Sequence, residues 1–146
     1  MNKVYIGCPF FNKEQIKTVE MIERELDKAN IDFFSPRSEG TLIDMTPGER
    51  EKAFSNIYKS NIVNMDQCNS MIAVIDDRDL GVAYEMGWFK FKPIFSFSNN
   101  DWQINVMLRQ SVLTHNTDIK DLIFNIKEYY NGKRVTRFNT LTKDIT

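Results

Sequence analysis

The most constraining feature of this 146-residue chain is the run at residues 70–75, Ser-Met-Ile-Ala-Val-Ile. A continuous apolar stretch of this length suits a strand covered on both faces, as in a parallel sheet. Three shorter runs resemble it. Residues 3–7 (KVYIG) are β-branched and aromatic and end at Gly7, residues 31–35 (IDFFS) are closed by Pro36, and residues 93–97 (PIFSF) form a fourth candidate strand. Helical patterns lie between them. Asn12 stands three residues before Gln15, a capping-box-like start, and Ile16, Val19, Ile22, Leu26 and Ala29 then recur at the spacing of a buried helical stripe until Asn30 stops it. Residues 37–45 read as a polar loop. Thr46-Pro47-Gly48-Glu49 is a strong helix start that places Ala53, Ile57, Asn61 and Met65 roughly on one face. A charged loop, Asp76 to Asp79, leads into a helix over 81–91, and further helices are expected at 102–112 and 118–130. Residues 131–146 form a polar C-terminal tail. The order β-α-β-α-β-α-β-α-α predicts an α/β fold in one domain, 1–146. It is doubly wound and flavodoxin- or Rossmann-like, a parallel sheet with helices on both faces.

Composition narrows the function classes. A net charge of -1 lacks the Lys/Arg excess of a nucleic-acid binder and gives no basis for attraction to a membrane surface. Two cysteines, Cys8 and Cys68, without a pairing pattern read as reduced thiols, and a single histidine, His115, disfavours zinc sites and histidine triads. The chain opens directly into a strand-like run, without a signal-peptide layout or a membrane-length apolar stretch. The expectation is a cytoplasmic domain that handles small molecules.

Open parallel sheets bind ligands beyond the carboxyl ends of their strands. That rule selects Gly7 to Phe11, Ser35 to Gly40 and Asp76 to Glu85, with Asn61 contributed by the second helix. No glycine-rich phosphate motif is present, and the end of strand one lacks the acidic residues of a phospho-accepting receiver domain. Asp79-Leu80-Gly81-Val82-Ala83-Tyr84-Glu85 is the most informative run. Gly81 at a helix start lets a ligand approach backbone N–H groups, and Glu85 follows one turn later, where the helix dipole favours its ionised form. Glu85 is either a nucleophile or hydroxyl-binding group in a cleft, or a solvated surface residue. The apolar neighbours Val82, Ala83, Met86 and Trp88, expected to be buried, favour the cleft. Tyr5 is either core packing or a hydroxyl that orients a carboxylate, and Phe10 and Phe11 are either core or an aromatic wall for a planar base.

Four segments together resemble the nucleoside 2-deoxyribosyltransferase family. They are Tyr5-Ile6-Gly7-Cys8-Pro9-Phe10-Phe11, Phe34-Ser35-Pro36-Arg37, Asp79 to Gly87, and Asn105-Val106-Met107. The resemblance spans residues 3–110 and implies base exchange on 2'-deoxynucleosides by double displacement. In that scheme Glu85 is the nucleophile that forms a 2-deoxyribosyl ester, and Tyr5 orients it. Asp79 binds the 5'-hydroxyl, with Gly7, Phe10, Phe11 and Gly81 shaping the pocket. Asn105 and Met107 complete the site of a neighbouring subunit, which implies a homo-oligomer. The implied partners are 2'-deoxynucleosides and free nucleobases, and no cofactor or metal is implied. One position departs from the pattern. Asn61 stands where the family usually has an aspartate that exchanges a proton with the base, and an amide cannot act as an acid. Asp66 is an alternative acid nearby, and a proton relayed by water is another. Asp79, where relatives acting on 5'-monophosphates tend to carry a serine, predicts free nucleosides as substrates. Two rival readings share these residues: an N-glycoside hydrolase, in which water replaces the acceptor base, and a nucleoside-binding module without turnover.

Overall fold

The computed structural model describes residues 2–39, 45–100, 105–133 and 135. Five strands, β1 (Lys3–Gly7), β2 (Asp32–Phe34), β3 (Ser70–Val74), β4 (Ile94–Phe97) and β5 (Thr114–Asn116), form one sheet in the order β2-β1-β3-β4-β5. Every neighbouring pair is parallel. Helices α1 (Lys13–Lys28), α2 (Pro47–Gln67), α3 (Leu80–Trp88), α4 (Val106–Ser111) and α5 (Ile119–Tyr130) complete an α/β doubly wound fold. From β1 the chain winds to β2 on one side, and from β3 it winds to β4 and β5 on the other. The direction therefore reverses between β1 and β3, where such sheets open a crevice at their carboxyl ends. Among the described residues, no helix is long and apolar enough to cross a membrane.

The pleat of β1 divides the interior. Val4 and Ile6 join Val19, Ile22 and Leu26 of α1 and Leu122 and Ile126 of α5 in one core. Tyr5 points the other way, into a second core with Met65 of α2, Met71 and Ala73 of β3, and Val82, Met86 and Phe89 of α3. Asn12 caps α1 by accepting from the Gln15 N–H at 2.9 Å, and Asn30, in the left-handed region at φ 59°, turns the chain out of the helix. Thr46 and Glu49 close a complete capping box on α2. The last turn of α2 holds no basic residue. Its C-terminal carbonyls are met instead by Lys92, whose Nζ donates to the carbonyls of Met65, Asp66 and Cys68 at 3.0, 3.2 and 2.7 Å.

Several expectations change. A fifth strand, β5, occupies residues 114–116, where the pattern gave none. Its sequence, Thr-His-Asn, is polar yet buried, because its side chains are satisfied inside the sheet. Ser96 Oγ pairs with His115 Nδ1 at 2.7 Å, Asn116 Nδ2 donates to Thr114 Oγ1 at 2.9 Å, and Asn125 Nδ2 donates to Asn116 Oδ1 at 2.8 Å. Ile16 lies at the edge of the α1 stripe and is 36% exposed, so burial begins at Thr18 and Val19. The third helix ends at Trp88 rather than 91, and Trp88 is exposed, with its indole N–H on Asp66. The fourth helix is the short α4, and residues 102–104 of the expected span lie outside the described residues, as do most of the tail and residues 40–44 of the polar loop. Asp76 to Arg78 forms a single 3-10 turn in which Asp77 and Arg78 adopt left-handed φ values of 65° and 52°.

Candidate active site

Beyond the carboxyl end of β1, a cleft of about 310 Å³ opens between α2 and α3. Its floor is set by β1. Tyr5 is fully buried, and its hydroxyl crosses to α3 and donates a hydrogen bond to Glu85 Oε2. Two residues along, Gly7 faces the same way. A Cβ there would collide with the Met71 methyl and stand 3.5 Å from Glu85 Oε1. The glycine therefore leaves the other carboxylate oxygen uncovered, a close approach that any side chain would close.

Glu85 is held above the usual carboxylate range, at about 7. Burial is the largest cause, the Tyr5 hydrogen bond opposes it, and the charge of Asp79 adds to it. The expected ionisation by the helix dipole is thus corrected. Glu85 lies beyond the first turn of α3, where the dipole has faded, and desolvation outweighs it. Burial thus favours the protonated form of Glu85 relative to an exposed carboxyl group. The Tyr5 phenol is pushed well above its ordinary value by burial, by the Glu85 charge and by the hydrogen bond between them. It remains a donor at any working pH.

Asp79 is the N-cap residue of α3 but makes no capping hydrogen bond. Its carboxylate lies instead over Gly81, with oxygens 3.3 and 3.6 Å from where a Cβ on that residue would stand, and it lines the cleft with Gly81. Phe10 and the exposed Phe11 stack on each other, with centroids 5.2 Å apart, as one wall. Asn61 faces them from α2, and its Oδ1 is buried without a hydrogen-bond partner among the described residues. A buried acceptor left open inside a cleft has the chemistry to accept from a donor on a ligand. Asp66 is not the missing acid of this cleft, because it lies outside the lining and accepts the Trp88 indole N–H.

Glu85, Tyr5, Asp79, Gly7, Gly81, Phe10, Phe11 and Asn61 are thus brought together. Asn105 and Met107 are not. Asn105 caps α4 through the Met107 N–H at 2.9 Å, and the Met107 side chain is exposed, away from this cleft. Two rim residues were not singled out from sequence. Tyr58 of α2 and Tyr84 of α3 line the mouth. Their positions carried a signal: Tyr58 stands one helical turn before Asn61, and Tyr84 directly precedes Glu85. Cys8 also lines the cleft, but burial, then the charges of Asp76, Asp79, Glu23 and Asp77, push its thiol up to about 12. It stays protonated and is no nucleophile.

A buried carboxylate with one oxygen held by a phenol and the other open to a cleft is equipped for nucleophilic attack at an electrophilic carbon. Comparison with known proteins agrees in kind. Among solved structures, the chain is similar to a 2-deoxyribosyltransferase from Bacillus psychrosaccharolyticus, with 29% identity, a TM-score of 0.71, and coverage of 83% of this chain and 90% of that one. A conserved protein from Enterococcus faecalis V583 shares the fold at 17% identity and a TM-score of 0.64, over 88% of this chain and 99% of that one. A 2-desoxiribosyltransferase from Leishmania mexicana does so at 18% identity and 0.51, over 78% and 74%. Among curated proteins, no sequence matches this chain. The family model for nucleoside 2-deoxyribosyltransferases matches residues 4–125, most of the chain and all of the cleft-lining residues described above. By that match, the chain belongs to the nucleoside 2-deoxyribosyltransferase family.

Proposed function

We propose that the protein exchanges the nucleobase of 2'-deoxynucleosides by double displacement through Glu85. The observation that carries this reading is the Tyr5–Glu85 pair beside Gly7. Oε1 of ionised Glu85 attacks C1' of the sugar, and the C1'–N bond breaks with its electron pair leaving on the base, which takes a proton from solvent. The product is a 2-deoxyribosyl ester of Glu85. A nitrogen of a second base then attacks C1', loses its proton to solvent, and returns Glu85 as carboxylate. Tyr5 holds Oε2, so the attacking oxygen is fixed in place.

The other residues divide the substrate between them. Phe10 and Phe11 stack on the base, Asp79 accepts from the 5'-hydroxyl, and the open Oδ1 of Asn61 accepts an N–H of the base. Because Asn61 supplies no proton, departure of the base rests on solvent, which makes leaving-group quality matter. Burial is the main cause that raises Glu85 and Cys8, and the negative charge of Asp79 adds to both. A dianionic 5'-phosphate is therefore disfavoured against a neutral nucleoside. Asn105 and Met107 act in the site of a neighbouring copy within a homo-oligomer working in the cytoplasm.

Acid quenching during turnover, followed by mass spectrometry of peptides, tests the covalent step. A 2-deoxyribosyl adduct on the Glu85 peptide is expected. Turnover without any adduct would contradict double displacement. Free base and deoxyribose, without exchange, would identify a hydrolase, in which water resolves the same ester.

A further inference from the structure

The capping-box pattern at the start of α1 is only half used for capping. Asn12 accepts from the Gln15 N–H, but the Gln15 side chain does not return to the Asn12 backbone. Its Oε1 reaches past the cap and accepts from the Phe11 N–H at 2.8 Å, while its Nε2 donates to Asp77 Oδ2 at 2.8 Å. One amide thus spans two loops far apart in sequence. The first carries the Phe10–Phe11 wall after β1, and the second carries Asp79 after β3. The second loop needs holding. Asp77 and Arg78 are consecutive non-glycine residues in the left-handed region, a conformation that costs energy and persists only where surroundings fix it. Gln15 itself does not line the reaction cleft and lies behind the two loops.

From this we infer that Gln15 is a positioning residue. It ties the aromatic wall to the Asp79 arm and so sets the distance between the base-stacking and sugar-hydroxyl-binding ends of the cleft. The inference rests on the proposed nucleoside reading for its ligand, but the tether is a property of the two loops and is measurable without turnover. A glutamine is suited to the place, because its amide offers an acceptor to a backbone N–H and a donor to a carboxylate from two separate atoms.

The test is a reciprocal swap. Gln15→Glu keeps the acceptor for Phe11 but faces Asp77 with a second carboxylate. Gln15→Glu combined with Asp77→Asn restores a donor to the pair from the other side. At about pH 8, with the carboxylates ionised, Gln15→Glu is expected to raise KM for a 2'-deoxynucleoside about three- to tenfold, with kcat changed by less than about twofold. The double variant is expected to recover most of that loss. Gln15→Ala is expected to speed hydrogen exchange of the Phe11 amide about tenfold with an unchanged melting temperature, since the contact is exposed. A protein that exchanges no base, yet binds the nucleoside less tightly in Gln15→Glu by calorimetry, would remove the proposed chemistry and leave the tether standing. Unchanged Phe11 exchange, an affinity indifferent to Gln15→Glu, or a double variant no better than the single would each overturn it.

Discussion

Helices α1 and α2 flank opposite faces of the same strands, and they spend their side chains differently. In α1, Val19, Ile22 and Leu26 are buried in an apolar core, at three- and four-residue steps along one stripe, with Thr18 buried beside them. In α2, which is longer, Met65 is the one buried side chain. The rest of its inner face, with Ile57 and Asn61, lines the cleft, and Phe54, Tyr58 and Val63 are exposed. The α1 face builds stability, whereas the α2 face leaves room for a ligand and is held at its end by Lys92. The division begins in β1, where Val4 and Ile6 serve one side, and Tyr5 and Gly7 serve the other.

The sharpest way to break that contrast is at Glu85. Glu85→Ala is expected to lower base exchange by at least about 10⁴-fold while leaving a folded protein, as removal of a nucleophile does. If activity survived at a tenth of wild type, the cleft would not be the reacting centre. Next in size is the comparison of Ile22→Ala with Ile57→Ala. Ile22 is fully buried, and its truncation should cost about 2–5 kcal/mol of unfolding free energy in urea melts, with activity retained. Truncating the half-buried Ile57 should cost under about 1 kcal/mol and act on KM instead. Equal losses of stability would erase the distinction between the two faces.

Tyr5→Phe sharpens it within the cleft. The hydrogen bond lowers the Glu85 pKa, so its loss should move the acid limb of the kcat/KM profile to higher pH than in the wild-type protein. Activity at neutral pH should fall about 10- to 100-fold, the scale of a hydrogen bond to a charged group. An unmoved acid limb would mean that Tyr5 only packs.

Stability carries the same titration. Glu85 binds its proton more tightly folded, at about 7, than unfolded, at the ordinary 4.5. Its contribution is therefore fully present below about pH 4.5 and is lost as pH rises through about 7. Glu85→Gln should stabilise the protein by about 2 kcal/mol above pH 8 and by little at pH 4. The smallest expected effect is at Asn61. Asn61→Asp should raise turnover or widen the range of accepted bases, and an unchanged rate profile would place residue 61 outside the reaction.

Much of the fold was legible because local pattern and burial agree. The apolar run of β3, the α1 stripe and the Thr46–Glu49 box are each found where the sequence puts them. β5 was hidden because Thr114, His115 and Asn116 are polar and make no apolar run, and their burial rests on partners on β4 and α5. Trp88 misled because its apolar bulk suggested burial, whereas its N–H is satisfied at the surface by Asp66. In the cleft, the Tyr5, Glu85 and Asp79 positions were readable through the family resemblance, but the pKa of Glu85 was not. Dipole reasoning is one-dimensional, and the opposing desolvation comes from side chains distant in sequence. The role of Gln15 was masked by its fit to a capping box, a local motif that its side chain leaves for a long-range partner.

The most direct test of the central claim is a base-exchange assay. The protein is incubated with a 2'-deoxynucleoside and a different free base, and every species is followed by chromatography beside Glu85→Ala. The account predicts a new 2'-deoxynucleoside that is absent with the variant. The same product in both, or unaltered substrate with the wild-type protein across a panel of bases, would contradict it.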